Sequence, residues 1–405
     1  MSVIYDYLLY TMTHIKYSFF SIIMLVVLLV SCKSGNTIIV DDGFNRKEIK
    51  YYGDISFNDD ETAVENITPG GYLEFRSNGR KLIAENNYHG GVHYKMYRNG
   101  KRLYEDETEG QKFLAEAIDQ MLSMGFNTQK RLEKLYRKGG NPALLRAAVN
   151  ANGNYLKQSY IDYILTHGDP DDDDLVDIAK IVTFKMDGTF EKVQVLKQYT
   201  SNAFSNPEVS AAWFEAIETI DADFEKANLL KAVPAEQFKY PAVATAWMDA
   251  VKAIHADFEK ANTLKTILKQ PLTEDQYRQS IVVSNTITSD FEQCNFLKEI
   301  IEKENIPRDK ESFAVLMQSL HNVESGFERS GILKKVLEKG LYTEEQWLLF
   351  LKEVALIKED FEKASILTAA AQKMPRTTDL TAVYAESAKT ISSEFEYESV
   401  LKAIQ

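Results

Sequence analysis

Cysteine is almost missing: Cys32 and Cys294 are the only two in 405 residues. A disulfide framework is therefore excluded, and if Cys32 is consumed by another modification no internal bridge remains. Basic residues are in deficit, with 47 Lys/Arg against 60 Asp/Glu and a net charge of −13. Residues 141–405 hold 29 Lys/Arg against 42 Asp/Glu, while residues 1–140 hold 18 of each, so the acidity belongs to the long C-terminal part. Nucleic-acid binding needs a basic stripe and is excluded as a partner class. No apolar run reaches the length of a membrane span; the longest, Tyr17–Val30, has 14 residues. Gly-x-Ser-x-Gly, P-loop, dinucleotide and His-Glu-x-x-His motifs are all missing. No Ser/His/Asp or Cys/His set presents itself, so the chain is read as a non-enzyme without cofactor or metal.

What is present is a repeat. Asp223-Phe224-Glu225-Lys226-Ala227 returns at Asp257-Phe258-Glu259-Lys260-Ala261 and at Asp360-Phe361-Glu362-Lys363-Ala364. Looser copies surround Phe190, Phe291, Phe327 and Phe395, and the Phe-to-Phe steps are 34, 34, 33, 36, 34 and 34 residues. A fixed period of that length means stacked supersecondary units. With Phe as position zero, Leu stands at plus six in every copy, and plus three is small at Ala227, Ala261, Cys294, Ser330 and Ala364. Offsets of zero, three and six share a helical face, which predicts a buried stripe anchored by the Phe, with Lys260 and its equivalents on the exposed side. Ser289, Ser325 and Ser393 stand three residues before a Glu, a capping-box pattern that gives the recurrent Glu a structural task. Cys294, in the small slot, is expected to be a buried structural thiol.

A second apolar helix is expected upstream of each Phe, with Met186, Ile220, Ile254, Ile287, Val323, Ile357 and Ile391 at minus four and Trp213, Trp247, Leu316, Phe350 and Tyr384 at minus eleven. Asn206-Pro207, Tyr240-Pro241, Thr273-Glu274, Asp309 and Thr343-Glu344 supply its turn and cap chemistry. The fold class that follows is mainly α: an α-solenoid of about seven to eight 34-residue helix pairs, spanning 108–405, after a small antiparallel β domain at 47–107. Tetratricopeptide repeats have the same length, but their Trp-Leu-Gly-Tyr string and closing Pro are not in this chain.

Before the array, Tyr17–Val30 behind Lys16 has the length of a signal-peptide core, and Leu29-Val30-Ser31-Cys32 looks like a bacterial lipobox. The expectation is a signal peptide over 1–31, with Met12 as an alternative start, then acylated Cys32 opening a patternless tether over 32–46. Several acyl chains on one residue make a stable anchor. The address that follows is the bacterial cell envelope, membrane-bound through Cys32, at the outer membrane facing the periplasm or the cell surface. From Glu48 the period becomes two, with Ser77-Asn78-Gly79-Arg80 and Arg98-Asn99-Gly100 between alternating runs as hairpin turns.

His89 and His93 could approach across a turn, but no further ligands stand at zinc spacing. Asp169-Pro170-Asp171-Asp172-Asp173-Asp174 offers carboxylates at loop positions one, three and five, yet Asp174 replaces the EF-hand Gly and Lys180 the closing Glu. Asp173 or Asp174 is read as the start of a helix at Leu175.

Gly53-x-Ile55-x-Phe57-Asn58-Asp59-Asp60, Ile67-Thr68-Pro69-Gly70-Gly71-Tyr72-Leu73-Glu74 and Tyr97-x-Asn99-Gly100, leading into Ser-Asp-Phe-Glu-Lys helices, resemble an uncharacterised extracytoplasmic region found in some BlaR/MecR-like membrane metallopeptidase proteins. The resemblance covers nearly all of the mature chain and carries no activity of its own; the peptidase domain is absent. It implies an envelope location with a sensing or scaffolding task. The expected function is a lipid-anchored interaction scaffold for a protein or peptide, the alternatives being an accessory element of envelope signalling or proteolysis and, third, a hydrolase with its site in the β head.

Overall fold

The computed structural model describes residues 35–41, 45–87, 91–204 and 206–405. The signal-peptide core, the lipobox, Cys32 and His89 lie outside them. Two compact units are present: one holds the described residues up to Lys138 together with Asn150–Leu156, the other the described residues of Gly139–Val149 and Lys157–Gln405. The protein is mainly helical, with an antiparallel six-stranded sheet near its N-terminus.

The sheet runs in the order β1 (Asn36–Asp41), β2 (Arg46–Tyr52), β5 (Tyr72–Ser77), β6 (Arg80–Asn86), β7 (Val92–Arg98), β8 (Lys101–Leu103), with β3 (Ile55–Phe57) and β4 (Val64–Ile67) forming a separate pair. Its register lines up one apolar row across all six strands: Ile38 opposite Ile49, then Phe75, Leu82, Met96 and Leu103. Directly opposed side chains of this kind are the unit of sheet stability. Both Asn-Gly turns form as expected, with positive φ at Asn78, Gly79, Asn99 and Gly100. Two expectations need correction. The tether contains a strand, β1, because Thr37-Ile38-Ile39-Val40 is β-branched and pairs along the free edge of β2. And the sheet's unit does not stop at 107. Phe113, Ala117, Ile118 and Met121 of α1 (Thr108–Ser123) are fully buried in the same core as Phe75 and Leu82. The first part of α2 (Thr128–Asn150) holds the β3–β4 connection, through Arg131 on both Glu61 oxygens and Lys134 on the Phe57 and Asn58 carbonyls. At Gly139 and Gly140 the backbone leaves helical φ/ψ, and there the chain passes to the second unit.

The second unit continues with α3 (Asn154–His167, shared at its start) and then alternates first and second helices. The first helices are α4 (Asp172–Lys185), α6 (Pro207–Glu218), α8 (Pro241–Lys252), α10 (Glu274–Ser284), α12 (Lys310–Ser319), α14 (Glu344–Ala355) and α16 (Thr378–Ala388). The second helices are α5 (Thr189–Tyr199), α7 (Asp223–Lys231), α9 (Asp257–Leu264), α11 (Asp290–Glu304), α13 (Gly326–Lys339), α15 (Asp360–Lys373) and α17 (Glu394–Ile404). Each first helix packs on the next first helix, and each second helix on the next second helix. The caps are those the sequence advertises: Asn206 before Pro207, a full Thr273/Gln276 capping box, Asp309 and Thr343. In the acidic loop, however, Asp171 is the N-cap, accepting from the Asp174 N–H, so α4 begins at Asp172 rather than after Asp173 or Asp174.

Candidate interaction surface

Every second helix opens one residue before its repeat Phe, and every one of those Phe side chains points to solvent. Exposure runs from 58 % at Phe291 to 80 % at Phe395. The expected stripe is therefore wrong at its anchor. Leu at plus six is fully buried from Leu196 to Leu367, the small plus-three residues are buried, and minus four is buried in the turn between the helices. The stripe is completed by plus two and plus five, and plus two is a lysine in four of the seven copies: Lys226 is 2 % exposed and Lys260 5 %. At about 100° per residue, offsets two, three, five and six fill one face and offset zero falls outside it.

The buried lysines have partners. Lys226 Nζ donates to the Ala253 carbonyl at 2.7 Å, and Lys192, Lys260 and Lys363 donate to the carbonyl and hydroxyl of Thr219, Thr286 and Thr390. Each acceptor lies just beyond the C-terminal end of the following first helix, where carbonyls lack intrahelical partners and a cation meets the negative pole of the helix dipole. Burial lowers the pKa of all four ammonium groups, against the pull of neighbouring aspartates. Gln293 and Arg329 take the same place with donors to the Ser319 and Leu356 carbonyls.

The aspartate before the Phe reaches the same neighbour. Asp223 accepts from the N–H groups of His255 and Ala256, Asp257 from Thr288 and Ser289, Asp290 from Ser325, and Asp360 from Ser392 and Ser393. Those groups begin the next second helix. Where the aspartate is replaced by Gly326, the Glu359 carboxylate of the following loop occupies the space a Cβ would need. In four of the seven copies the glutamate after the Phe is an ion-pair partner instead of a reach-back cap: Lys197 meets Glu225, Lys231 Glu259, Lys298 Glu328 and Lys334 Glu362, at 2.7 to 3.4 Å. The serine half of the expected capping box does form, Ser289, Ser325 and Ser393 each accepting from the amide of the Glu. Asp, Glu and Lys of the motif thus join one helix pair to its neighbours, and the Phe is left over.

Cys294 is fully buried, and burial, then Glu328, pushes its thiol up to about 12. His93 is exposed on β7. Asp172 and Asp174 receive Asn206 and Asn141 side-chain amides. Among the described residues no three His, Cys, Asp or Glu side chains gather as metal ligands. A cavity of about 260 Å³ at the starts of α10 and α12 is lined by Tyr277, Glu304, Arg308, Asp309 and Tyr342, with the Arg308 guanidinium 5.1 Å over the Tyr342 ring.

Among the described residues no helix is long and apolar enough to cross a membrane. The chain matches no protein-family model and no curated protein.

Proposed function

We propose that this chain is a lipid-anchored protein of the bacterial envelope that works without catalysis, as an α-solenoid scaffold holding a protein or peptide along its second helices. The observation that carries this reading is the row of exposed Phe side chains at a fixed place in seven successive second helices. An exposed Phe costs solubility and contributes no core, and scattered single cases need no explanation. Seven at one fixed place in successive second helices form a patterned apolar surface of the kind that marks interaction sites. Acidity supports the assignment of faces. The seven first helices hold 16 Asp/Glu against 6 Lys/Arg, the second helices 17 against 14, so the Phe side is the nearly neutral one.

Two experiments test it. Cys32→Ser should abolish incorporation of labelled fatty acid, and persistent labelling would remove the anchor. A photo-crosslinking amino acid at position 258 should trap a discrete protein in the native envelope, whereas the same probe at Glu215 on α6 should not. Equal, diffuse labelling from both positions would overturn the scaffold reading.

A further inference from the structure

The Phe row has a companion. Four residues on from Phe190, Phe224, Phe258 and Phe291 stand Gln194, Asn228, Asn262 and Asn295, each half-buried. An i, i+4 spacing puts each carboxamide beside its Phe on the helix surface. None of the four side-chain amides has a hydrogen-bond partner among the described residues. Asparagine in the middle of an exposed helix face is a poor helix former compared with Ala, Lys or Glu. Its repetition at one offset in three consecutive second helices therefore has no origin in helix stability. A carboxamide offers one acceptor and two donors, the complement of a peptide unit.

Resting on the scaffold reading above, we propose that α5, α7, α9 and α11 form a track for one kind of occupant: an uncharged, extended peptide segment in the polyproline II conformation, with an apolar side chain at every third residue. Packed helices lie about 8–10 Å apart. A polyproline II chain repeats every three residues at about 3.1 Å each, so every third side chain meets a successive Phe while its solvated backbone faces a successive carboxamide. A β-strand repeats every two residues and falls out of step. Four rungs correspond to a segment of about ten residues. Charge agrees with this choice. The ion pairs Lys197–Glu225 and Lys231–Glu259 neutralise the ground between the first three rungs, so this side has less to attract a basic segment than the first helices do. The acidic first helices would be that segment's destination, and the same acidity opposes docking on anionic lipid.

The test uses the full chain in detergent and two displayed libraries of dodecapeptides. One fixes Leu, Val or Phe at every third position; the other fixes the same residues at every second. Binders should come from the first library and be depleted in charge. Their affinity should fall at least tenfold in Asn228→Ala/Asn262→Ala and in Phe258→Ser, with an unchanged melting temperature. N-methylation of a peptide amide facing Asn262 should have a similar effect. Binders drawn equally from both libraries, none at all, or affinity indifferent to the carboxamides would overturn the proposal. So would Phe258-dependent sedimentation with phosphatidylethanolamine–phosphatidylglycerol vesicles, or Phe258-dependent self-association. A discrete crosslink from position 258 without peptide binding would remove the peptide and leave the scaffold; peptide selection without that crosslink would do the reverse.

Discussion

Lys260 Nζ sits 3.1 Å from both the carbonyl and the hydroxyl of Thr286, buried between one helix pair and the next. The most hydrophilic letter of the repeat is inside and the most hydrophobic is outside. Lys260→Ala leaves a buried helix-end carbonyl without its donor and should cost about 1–3 kcal/mol. Phe258→Ala should stay within about 0.5 kcal/mol, since it removes a side chain already in water. Melting curves of the two variants decide this: a larger loss from Phe258→Ala would mean that the ring is packed.

Asp257 gives the array an acid limit. Burial raises its pKa, but the Thr288 hydroxyl and the N–H groups of Thr288 and Ser289 together outweigh burial, and the net shift is downward. A carboxylate with a depressed folded pKa contributes stability above its unfolded value, near 3.9, that is lost as pH falls through the folded pKa. Asp257→Asn should therefore cost about 1–2 kcal/mol at pH 7, held low by the carboxylate's exposed edge. The gap to the parent chain should close below pH 4. A gap independent of pH would show that the charge contributes nothing.

Trp247 tests the first-helix row. Its Nε1–H donates to the Leu230 carbonyl at 3.0 Å, as Trp213 does to Leu196, so each indole joins a first helix to the preceding second helix. Trp247→Phe should lose about 1–3 kcal/mol through the orphaned carbonyl and the smaller ring. Denaturant unfolding followed by far-ultraviolet circular dichroism measures it, and an unchanged midpoint would count against the bond.

Cys294 should behave as a buried alanine. With its thiol pushed up to about 12, it should resist N-ethylmaleimide at pH 8 in the folded chain and react fully in urea, as read by peptide mass mapping. Cys294→Ala matches Ala227, Ala261 and Ala364 in the same slot and should shift stability by less than about 1 kcal/mol. Rapid labelling without denaturant would mean that α11 opens locally.

Much of this was legible in the sequence. The period, the Asn-Gly hairpins, the caps of α6, α10, α12 and α14, and the buried Leu, Trp and small positions stand where spacing places them, because each is set by local chemistry. The Phe lies outside its expected stripe because periodicity fixes which offsets share a face but not which face is covered. Phe at zero and Lys at plus two lie on either side of the Ala–Leu seam, and hydrophobicity alone favours burying the wrong one. What decides is the bare carbonyl at Thr286 and its equivalents, more than 25 residues further on, which a lysine can satisfy and a phenyl ring cannot. One signal was available: an exposed Lys has no reason to recur at plus two in Lys192, Lys226, Lys260 and Lys363 when the loops around it drift. The carboxamide row carried no signal until the Phe was seen to be outside.

The ties made by Asp223, Lys226, Asp257 and Lys260 all run forward along the chain. Through these ties a helix pair caps the loop of its successor. A chain made from its N-terminus therefore grows like masonry on a finished course: each new pair emerges to find the acceptor for its next helix start and the donor for its helix end already in position. Losing a pair from the front uncaps the loop of the pair laid on it, whereas losing one from the back returns its predecessor's aspartate and lysine to water.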